Sequence, residues 1–255
     1  MSDPIFSVDG EVILVAGGAG GLGLPIAGAL AKRGAKILIA DIDSMRAAKA
    51  AQDLADAHKA DVRGCALDVT NAQSCAAAVN MAVSVWGRLD GLVNATGVYR
   101  VAAALDLDDE SWDATIDINL TGAFRLARAA GRVMVGQRGG RIVTLASVSS
   151  AVANPRYAAY AASKAGVAHL TRVLAVEWAS AGVTVNAIGP AATPTPLAQP
   201  IFDDQKQREA ALAQIPMGRF GTPDDLVGAT IFLLSPAGGF VTGQILFVDG
   251  GRTIV

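Results

Sequence analysis

Val12-Ile13-Leu14-Val15-Ala16-Gly17-Gly18-Ala19-Gly20-Gly21-Leu22-Gly23 decides the fold. The apolar start reads as a short strand buried on both faces. The glycines then allow a tight turn and a close backbone approach to a bound group. A helical run follows to about Arg33, and a second apolar strand, Lys36 to Ala40, ends at Asp41. Strand, turn, helix and strand make one βαβ unit. The helix start offers unpaired N–H groups where a pyrophosphate would lie. A glycine cluster alone would equally suit a flexible loop; the flanking elements favour a dinucleotide site. Asp41 lies eighteen residues after Gly23, about where an acid would hold the adenosine ribose. It could instead cap the next helix, but Asp43 and Ser44 stand better for that. A carboxylate repels a 2′-phosphate, and no Lys or Arg lies between Gly17 and Gly23. The expected cofactor is therefore NAD(H) rather than NADP(H).

The same alternation continues along the chain. Strands are expected near 12–16, 36–40, 62–66, 89–93, 141–146, 183–188 and 244–248, and helices near 21–33, 43–59, 71–86, 111–137, 157–180 and 223–234. This is an α/β pattern: one doubly wound, Rossmann-type parallel sheet of about seven strands with helices on both faces. With 255 residues, 52% hydrophobic content and no repeat or low-complexity linker, we expect a single domain over 1–255. In such sheets ligands bind at the carboxyl ends of strands. Gly17, Asp41, Asp68, Asn94, Ser147 and Pro190 all fall at or just after expected strand ends. Residues 191–212 carry Pro194, Pro196 and Pro200 and few helix or strand signals before a short helical run from about Asp203. Such a segment suits a substrate loop or lid.

The second informative stretch is Ser147-Val148-Ser149 followed by Tyr160-Ala161-Ala162-Ser163-Lys164. On a helix from Tyr157 to Trp178, positions four apart share a face, so the Tyr160 phenol and the Lys164 ammonium point into the same space. A nearby cation favours the phenolate and makes an acid–base group usable near neutrality. Tyr157 is a competing phenol, but its neighbour four residues on is Ala161, which supplies no cation.

With both stretches present, the chain resembles the short-chain dehydrogenase/reductase family from about Val8 to Gly251. Ala16 to Gly23 is similar to the family's TGxxxGxG turn, with Ala16 in place of threonine. Asp68-Val69 resembles its adenine-contacting pair, and Asn94-Ala95-Thr96-Gly97 its NNAG strand end. Asn119, within Asp117-Ile118-Asn119-Leu120-Thr121-Gly122, matches the active-site asparagine. Ser147, Tyr160 and Lys164 match the catalytic set. Ile188-Gly189-Pro190-Ala191 stands where the family has a Pro-Gly pair, with Ala191 replacing the glycine. Arg219-Phe220-Gly221-Thr222-Pro223, Val241-Thr242-Gly243-Gln244 and Val248-Asp249-Gly250-Gly251 are further similar stretches.

The resemblance implies hydride exchange between a nicotinamide and a secondary alcohol or ketone. Tyr160 would move the hydroxyl proton. Lys164 would lower the tyrosine pKa and bind the nicotinamide ribose. Ser147 would hydrogen-bond the substrate oxygen, and Asn119 would help hold a proton-relaying water. The implied cofactor contacts are Gly17, Gly20, Gly21, Leu22, Gly23, Asp41, Ile42, Asp68, Val69, Asn94, Ala95, Gly97, Pro190, Thr193 and Thr195, besides Tyr160 and Lys164. Ser149, Asn154, Tyr157 and Leu197 stand at substrate positions. Their mixed polarity suits a small polyol, ketose or sugar acid. A 3-oxoacyl thioester reductase is the competing enzyme, and a non-catalytic NAD(H)-sensing regulator is the alternative of another class. A sensor would need only the glycine turn and the acid, so the presence of Ser147, Tyr160, Lys164 and Asn119 together favours the enzyme. Family members are commonly tetramers joined through the helices at 111–137 and 157–180, so we expect a homotetramer. Small residues from Ala158 to Gly166 would let such helices approach.

Other partners find little support. A net charge of −2 does not favour nucleic acid. The uncharged stretches Trp178 to Phe202 and Leu226 to Val248 are broken by prolines and glycines, so no membrane span is expected. Met1-Ser2-Asp3-Pro4 shows no secretory pattern, which suggests a cytoplasmic location. His58 and His169 have no Cys or Asp at ligand spacing, so no metal is expected. Cys65 and Cys75 read as ordinary buried thiols. Arg125, Arg128 and Arg132 form a helical stripe that reads as a solvated or ion-paired face.

Overall fold

The central strands are apolar at every position because both their faces are covered. In the computed structural model, which describes residues 4–255, β1 (Val12–Ala16) is wholly buried. Ile13 and Val15 face one core, while Val12, Leu14 and Ala16 face the other. The remaining strands are β2 (Lys36–Asp41), β3 (Val62–Ala66), β4 (Gly91–Asn94), β5 (Gly140–Leu145), β6 (Val183–Pro190) and β7 (Ile245–Val248). They form one seven-stranded sheet in the order β3-β2-β1-β4-β5-β6-β7, parallel throughout. One face is covered by α1 (Gly23–Ala31), α2 (Ser44–His58) and α9 (Pro223–Leu234). The other is covered by α3 (Ala72–Trp86), α5 (Gly122–Gln137) and α6 (Ala158–Trp178). The chain leaves β1 to one side for β2 and later returns on the other side for β4, so a crevice opens at the carboxyl ends of β1 and β4.

Two expectations need correction. The helix expected over 111–137 is α4 (Asp109–Ile116), a π-helical turn over Asp117–Thr121, and α5. The segment 191–212 is more helical than its prolines suggest. A 3-10 turn at Pro196–Ala198 leads into α7 (Gln199–Asp203) and α8 (Gln205–Ala213). Proline is tolerated at the first helical positions, where its missing N–H costs nothing, and the Asp204 carboxylate caps α8 by accepting from the Lys206 and Gln207 amides. The small residues of α6 are partly spent inside the subunit. Ala159 is buried, and a side chain at Gly166 would meet Leu120 Cδ2 at 2.7 Å.

Among the described residues no helix is long and apolar enough to cross a membrane. Met1, Ser2 and Asp3, on which the expectation about a leader rests, lie outside the described residues. Arg125 pairs with Asp117 at 2.7 Å, and the Arg128 guanidinium lies 4.9 Å from the centre of the Phe124 ring, so these two arginines are used within the subunit surface. Burial pushes the Cys65 thiol up to about 11, away from the reactive thiolate.

Candidate active site

A cavity of about 340 Å³ opens at the carboxyl ends of the strands. Its cofactor end is built by the glycine turn. Gly17 has φ +70°, and a Cβ there would lie 2.9 Å from the Ala95 carbonyl oxygen, so the close contact between the β1 and β4 ends requires glycine. A side chain at Gly23 would collide with the Gly17 carbonyl. Gly21, at φ +52°, has open space beside it. No side chain caps the start of α1, and no acid lies in its first turn. The Leu24 amide donates to the Gly20 carbonyl at 3.2 Å and Pro25 has no N–H, but the Gly20, Gly21 and Leu22 amides just ahead of the helix have no hydrogen-bond partner among the described residues, so the turn fits a dinucleotide pyrophosphate.

Asp41, at the end of β2, closes one side of this cradle. Its Oδ2 accepts from the Ala19 amide and its Oδ1 from the Asp43 amide, both at 3.3 Å. Capping of α2 belongs to Asp43, whose Oδ1 accepts from the Met45 and Arg46 amides at 3.0 Å. The first turn of α2 also brings a cation that the glycine turn lacks. Arg46 Nη2 donates to the Ala19 carbonyl at 3.3 Å, and Arg46 lines the cavity beside Asp41. The glycine turn itself carries no Lys or Arg, as its sequence reads; the cation at this end comes from α2. Arg46 sits twenty-three residues beyond Gly23 in sequence, and the βαβ crossover folds it back onto the turn.

Ser147, Tyr160 and Lys164 meet in the same cavity. Ser147 follows β5 and its Oγ accepts from the Ser149 amide at 3.1 Å. Lys164 is buried, and its Nζ donates to the Leu145 carbonyl at 2.8 Å. The ammonium lies 5.8 Å from the centre of the Tyr160 ring. The two side chains share a face of α6, as their spacing requires. The electrostatic expectation is overturned for the chain alone. Burial pushes the Tyr160 phenol up to about 12, with the Ser147 hydroxyl opposing the shift. Burial likewise lowers Lys164 to about 8. Both charged forms lose hydration here, and the lysine spends its hydrogen bond on a backbone carbonyl, so desolvation outweighs mutual attraction.

Asn119 rests on the π-turn. Its Oδ1 accepts from the Val98 amide at 2.8 Å, and its Nδ2 donates to the Val98 carbonyl at 3.0 Å and to Ser163 Oγ at 3.1 Å. It ties the loop after β4 to α6 rather than serving its own helix, and it stands behind the cavity wall. A side chain at Gly97 would meet Asn119 Oδ1 at 3.2 Å and Lys164 Nζ at 3.6 Å, so the asparagine and the lysine flank one glycine.

The cavity lining takes in Gly17, Gly20, Gly21, Leu22, Asp41, Ala95, Gly97, Pro190, Thr193 and Thr195 from the expected cofactor set, and all of Ser149, Asn154, Tyr157 and Leu197. Gly23, Ile42, Asp68, Val69 and Asn94 do not line it. The Asp68 carboxylate is taken by the Thr70 amide and hydroxyl at 2.9 and 2.7 Å, and Asn94 Oδ1 by those of Thr96 at 3.1 and 2.7 Å. Val69 is buried under Gly122, and Gly23 is enclosed by the turn itself. Ile42 is 77% exposed just past β2.

Two further lining residues, like Arg46, had no local signal. Tyr99 comes from the loop after β4, and its hydroxyl hydrogen-bonds that of Tyr157. Its ring packs edge-on against Tyr160, 5.1 Å between centres, so all three tyrosines of the chain meet at this point. Burial, then the Tyr157 hydroxyl, pushes the Tyr99 phenol up. Tyr157 is seated by a short bridge to Ala102, whose amide donates to the carbonyl of Arg156, a residue in the left-handed region at φ +73°. Arg252, near the chain end, is the second; its Nη2 donates to Asn154 Oδ1 at 3.2 Å.

A family model described as enoyl-(acyl carrier protein) reductase matches residues 17–253. The chain belongs to the short-chain dehydrogenase/reductase family. It is 41% identical over 249 residues to D-threitol dehydrogenase of Mycolicibacterium smegmatis, covering 98% of this chain and 95% of that one. It is 38% identical to a 3-oxoacyl-[acyl-carrier-protein] reductase of Vibrio cholerae over 98% of this chain and all of that one. The crystal structure of gluconate 5-dehydrogenase from Burkholderia cenocepacia, in complex with NADP and tartrate, superposes with a TM-score of 0.95 at 36% identity, covering 99% and 98% of the two chains. The family member described here is thus an oxidoreductase that uses a nicotinamide dinucleotide.

Proposed function

We propose that this short-chain dehydrogenase/reductase interconverts a secondary alcohol and a ketone on a small polyhydroxylated molecule, a polyol, ketose or sugar acid, with NAD(H) as its cofactor. One observation carries the reading: Ser147, Tyr160 and Lys164 line the same cavity as the open glycine turn, together with the polar groups Ser149, Asn154 and Tyr157. The threitol and gluconate dehydrogenases among its relatives support the substrate class.

The Tyr160 phenol exchanges a proton with the reacting hydroxyl. Ser147 donates a hydrogen bond to the same oxygen as negative charge builds on it. With its phenol up at about 12, Tyr160 in the chain alone holds its proton, which suits donation to a ketone. When bound, the oxidised dinucleotide would accept the hydride, and its positive charge would favour the Tyr160 phenolate, the form that takes the proton from a substrate hydroxyl. Lys164 sustains that charge and orients the ribose, while Asn119 fixes the wall behind it and helps hold the proton-relaying water. Gly23, Ile42, Asp68, Val69 and Asn94 shape or border the cofactor cleft. Residues 191–212 act as the substrate loop.

Asp41 favours NAD(H), because a carboxylate beside the ribose repels a 2′-phosphate, whereas Arg46 acts in the opposite sense. Initial rates with NAD and NADP, in both directions, over threitol, galactitol, gluconate and an acetoacetyl thioester test the whole reading. Turnover of a polyol or sugar acid with an NAD preference is expected. A preference for the thioester would favour the acyl reductase, and binding of NADH without hydride transfer to any of them would favour a sensor. We further propose a homotetramer, for which light scattering should give four times the chain mass.

A further inference from the structure

Arg252 is the charged group of the cavity that the reaction leaves unused. Beyond β7 the chain turns through Gly250 and Gly251, at φ +60° and +91°. The Asp249 carboxylate holds this turn. Its Oδ1 accepts from the Gly251 amide at 3.0 Å, and its Oδ2 accepts from the Thr253 amide and hydroxyl at 2.8 and 2.7 Å. The nearest acid in sequence is thereby committed to neutral donors. Among the described residues no carboxylate lies within ion-pair distance of Arg252. Arg252 is a half-buried residue that lines the cavity, and its guanidinium spends one donor on Asn154 Oδ1. The Asn154 Nδ2 group has no partner among the described residues.

The other charged lining residues are accounted for. Asp41 and Arg46 stand at the glycine turn, and Lys164 donates to Leu145. Of the charged lining residues, Arg252 is the one hydrogen-bonded to Asn154, a residue the substrate positions include. A guanidinium that lines a cavity with donors to spare, beside an amide whose N–H groups are also free, offers an anion a forked set of hydrogen bonds. One guanidinium and one amide match a single negative charge in a planar group, which suits a carboxylate better than the dianion of a phosphate ester.

We infer that the substrate is a polyhydroxy monocarboxylate, whose carboxylate is bound by Arg252 and Asn154 while its reacting carbinol meets Ser147 and Tyr160. This rests on the reading of the cavity as an alcohol/ketone site. Steady-state kinetics on the full chain should compare an aldonate, the alditol of the same chain length and the corresponding sugar phosphate. The native enzyme should prefer the aldonate. Arg252→Gln should lower the ratio of kcat/KM for aldonate over alditol by roughly 10–100-fold, through KM, as expected for losing a charged hydrogen bond, with Arg252→Lys recovering part of it. Asn154→Asp, which sets a carboxylate beside Arg252, should lower the same ratio. NADH binding by each variant reports that it is folded. A native preference for alditol or sugar phosphate would overturn the inference while leaving the dehydrogenase reading intact, as would an unchanged ratio in folded Arg252 and Asn154 variants. Absence of hydride transfer to every hydroxylated substrate would overturn both.

Discussion

At the scale of single residues, the catalytic proposal turns on the half-buried Tyr160 and the buried Lys164, whose charged forms are disfavoured. Tyr160→Phe removes the hydroxyl and leaves the ring in place. Turnover should fall by roughly 10²–10⁴-fold, while NADH affinity, measured by fluorescence titration, should stay within about threefold. Retained turnover in this variant would remove the phenol from the mechanism. Lys164 lies at about 8, below its ordinary value, because burial penalises the ammonium. The unfolded chain therefore holds this proton more tightly than the folded one. The cost to the fold is present in full below pH ~8 and is relieved as pH rises from there towards the unfolded pKa of ~10.4. Lys164→Met should be inactive, yet at pH 7 it should unfold at or above the native temperature, with the advantage shrinking by pH 10. Thermal scans at the two pH values check the sign, and a larger loss at pH 7 than at pH 10 would refute it.

At the scale of elements, the π-turn between α4 and α5 explains how Asn119 reaches outside its own helix. A widened turn offsets the side chains that follow it, and such turns cluster at functional sites. Here the offset lets one side chain make three hydrogen bonds to the β4 loop and α6. Asn119→Ala would leave the Val98 amide and carbonyl without these partners in a half-buried place. Urea unfolding should show a loss of about 1–3 kcal/mol, accompanied by reduced turnover because the wall behind Lys164 loosens. A variant of native stability would mean that the Val98 loop finds other partners. The Arg219-to-Pro223 stretch has a structural explanation at this scale. Asp225 accepts from the Thr222 amide at 2.7 Å and pairs with Arg219 at 2.7 Å, which closes the start of α9. The guanidinium beside it holds the Asp225 carboxyl well below the usual range.

At the scale of the whole molecule, the cavity gathers the ends of β1, β2, β4, β5 and β6, the loop carrying Tyr99 and the chain end carrying Arg252. A ligand that touches all of these stabilises the domain as one unit. NADH at about 100 times its Kd should add about 2.7 kcal/mol and shift a single unfolding transition upward. A shift confined to part of a split transition would show that the segments around the site unfold separately. The βαβ unit, the glycine turn, the strand ends and the shared face of Tyr160 and Lys164 were legible in the sequence. Each depends on periods of two or 3.6 residues and on short-range backbone sterics, which neighbouring residues dictate. From sequence the helix at 111–137 reads as continuous, because a π-turn changes the period only locally and leaves the apolar pattern of α5 in place. Arg46, Tyr99 and Arg252 became site residues only when crossovers brought distant segments together. The upward shift of the Tyr160 phenol likewise depends on how completely the fold excludes water, a quantity set by packing across the sheet and absent from any local run of residues.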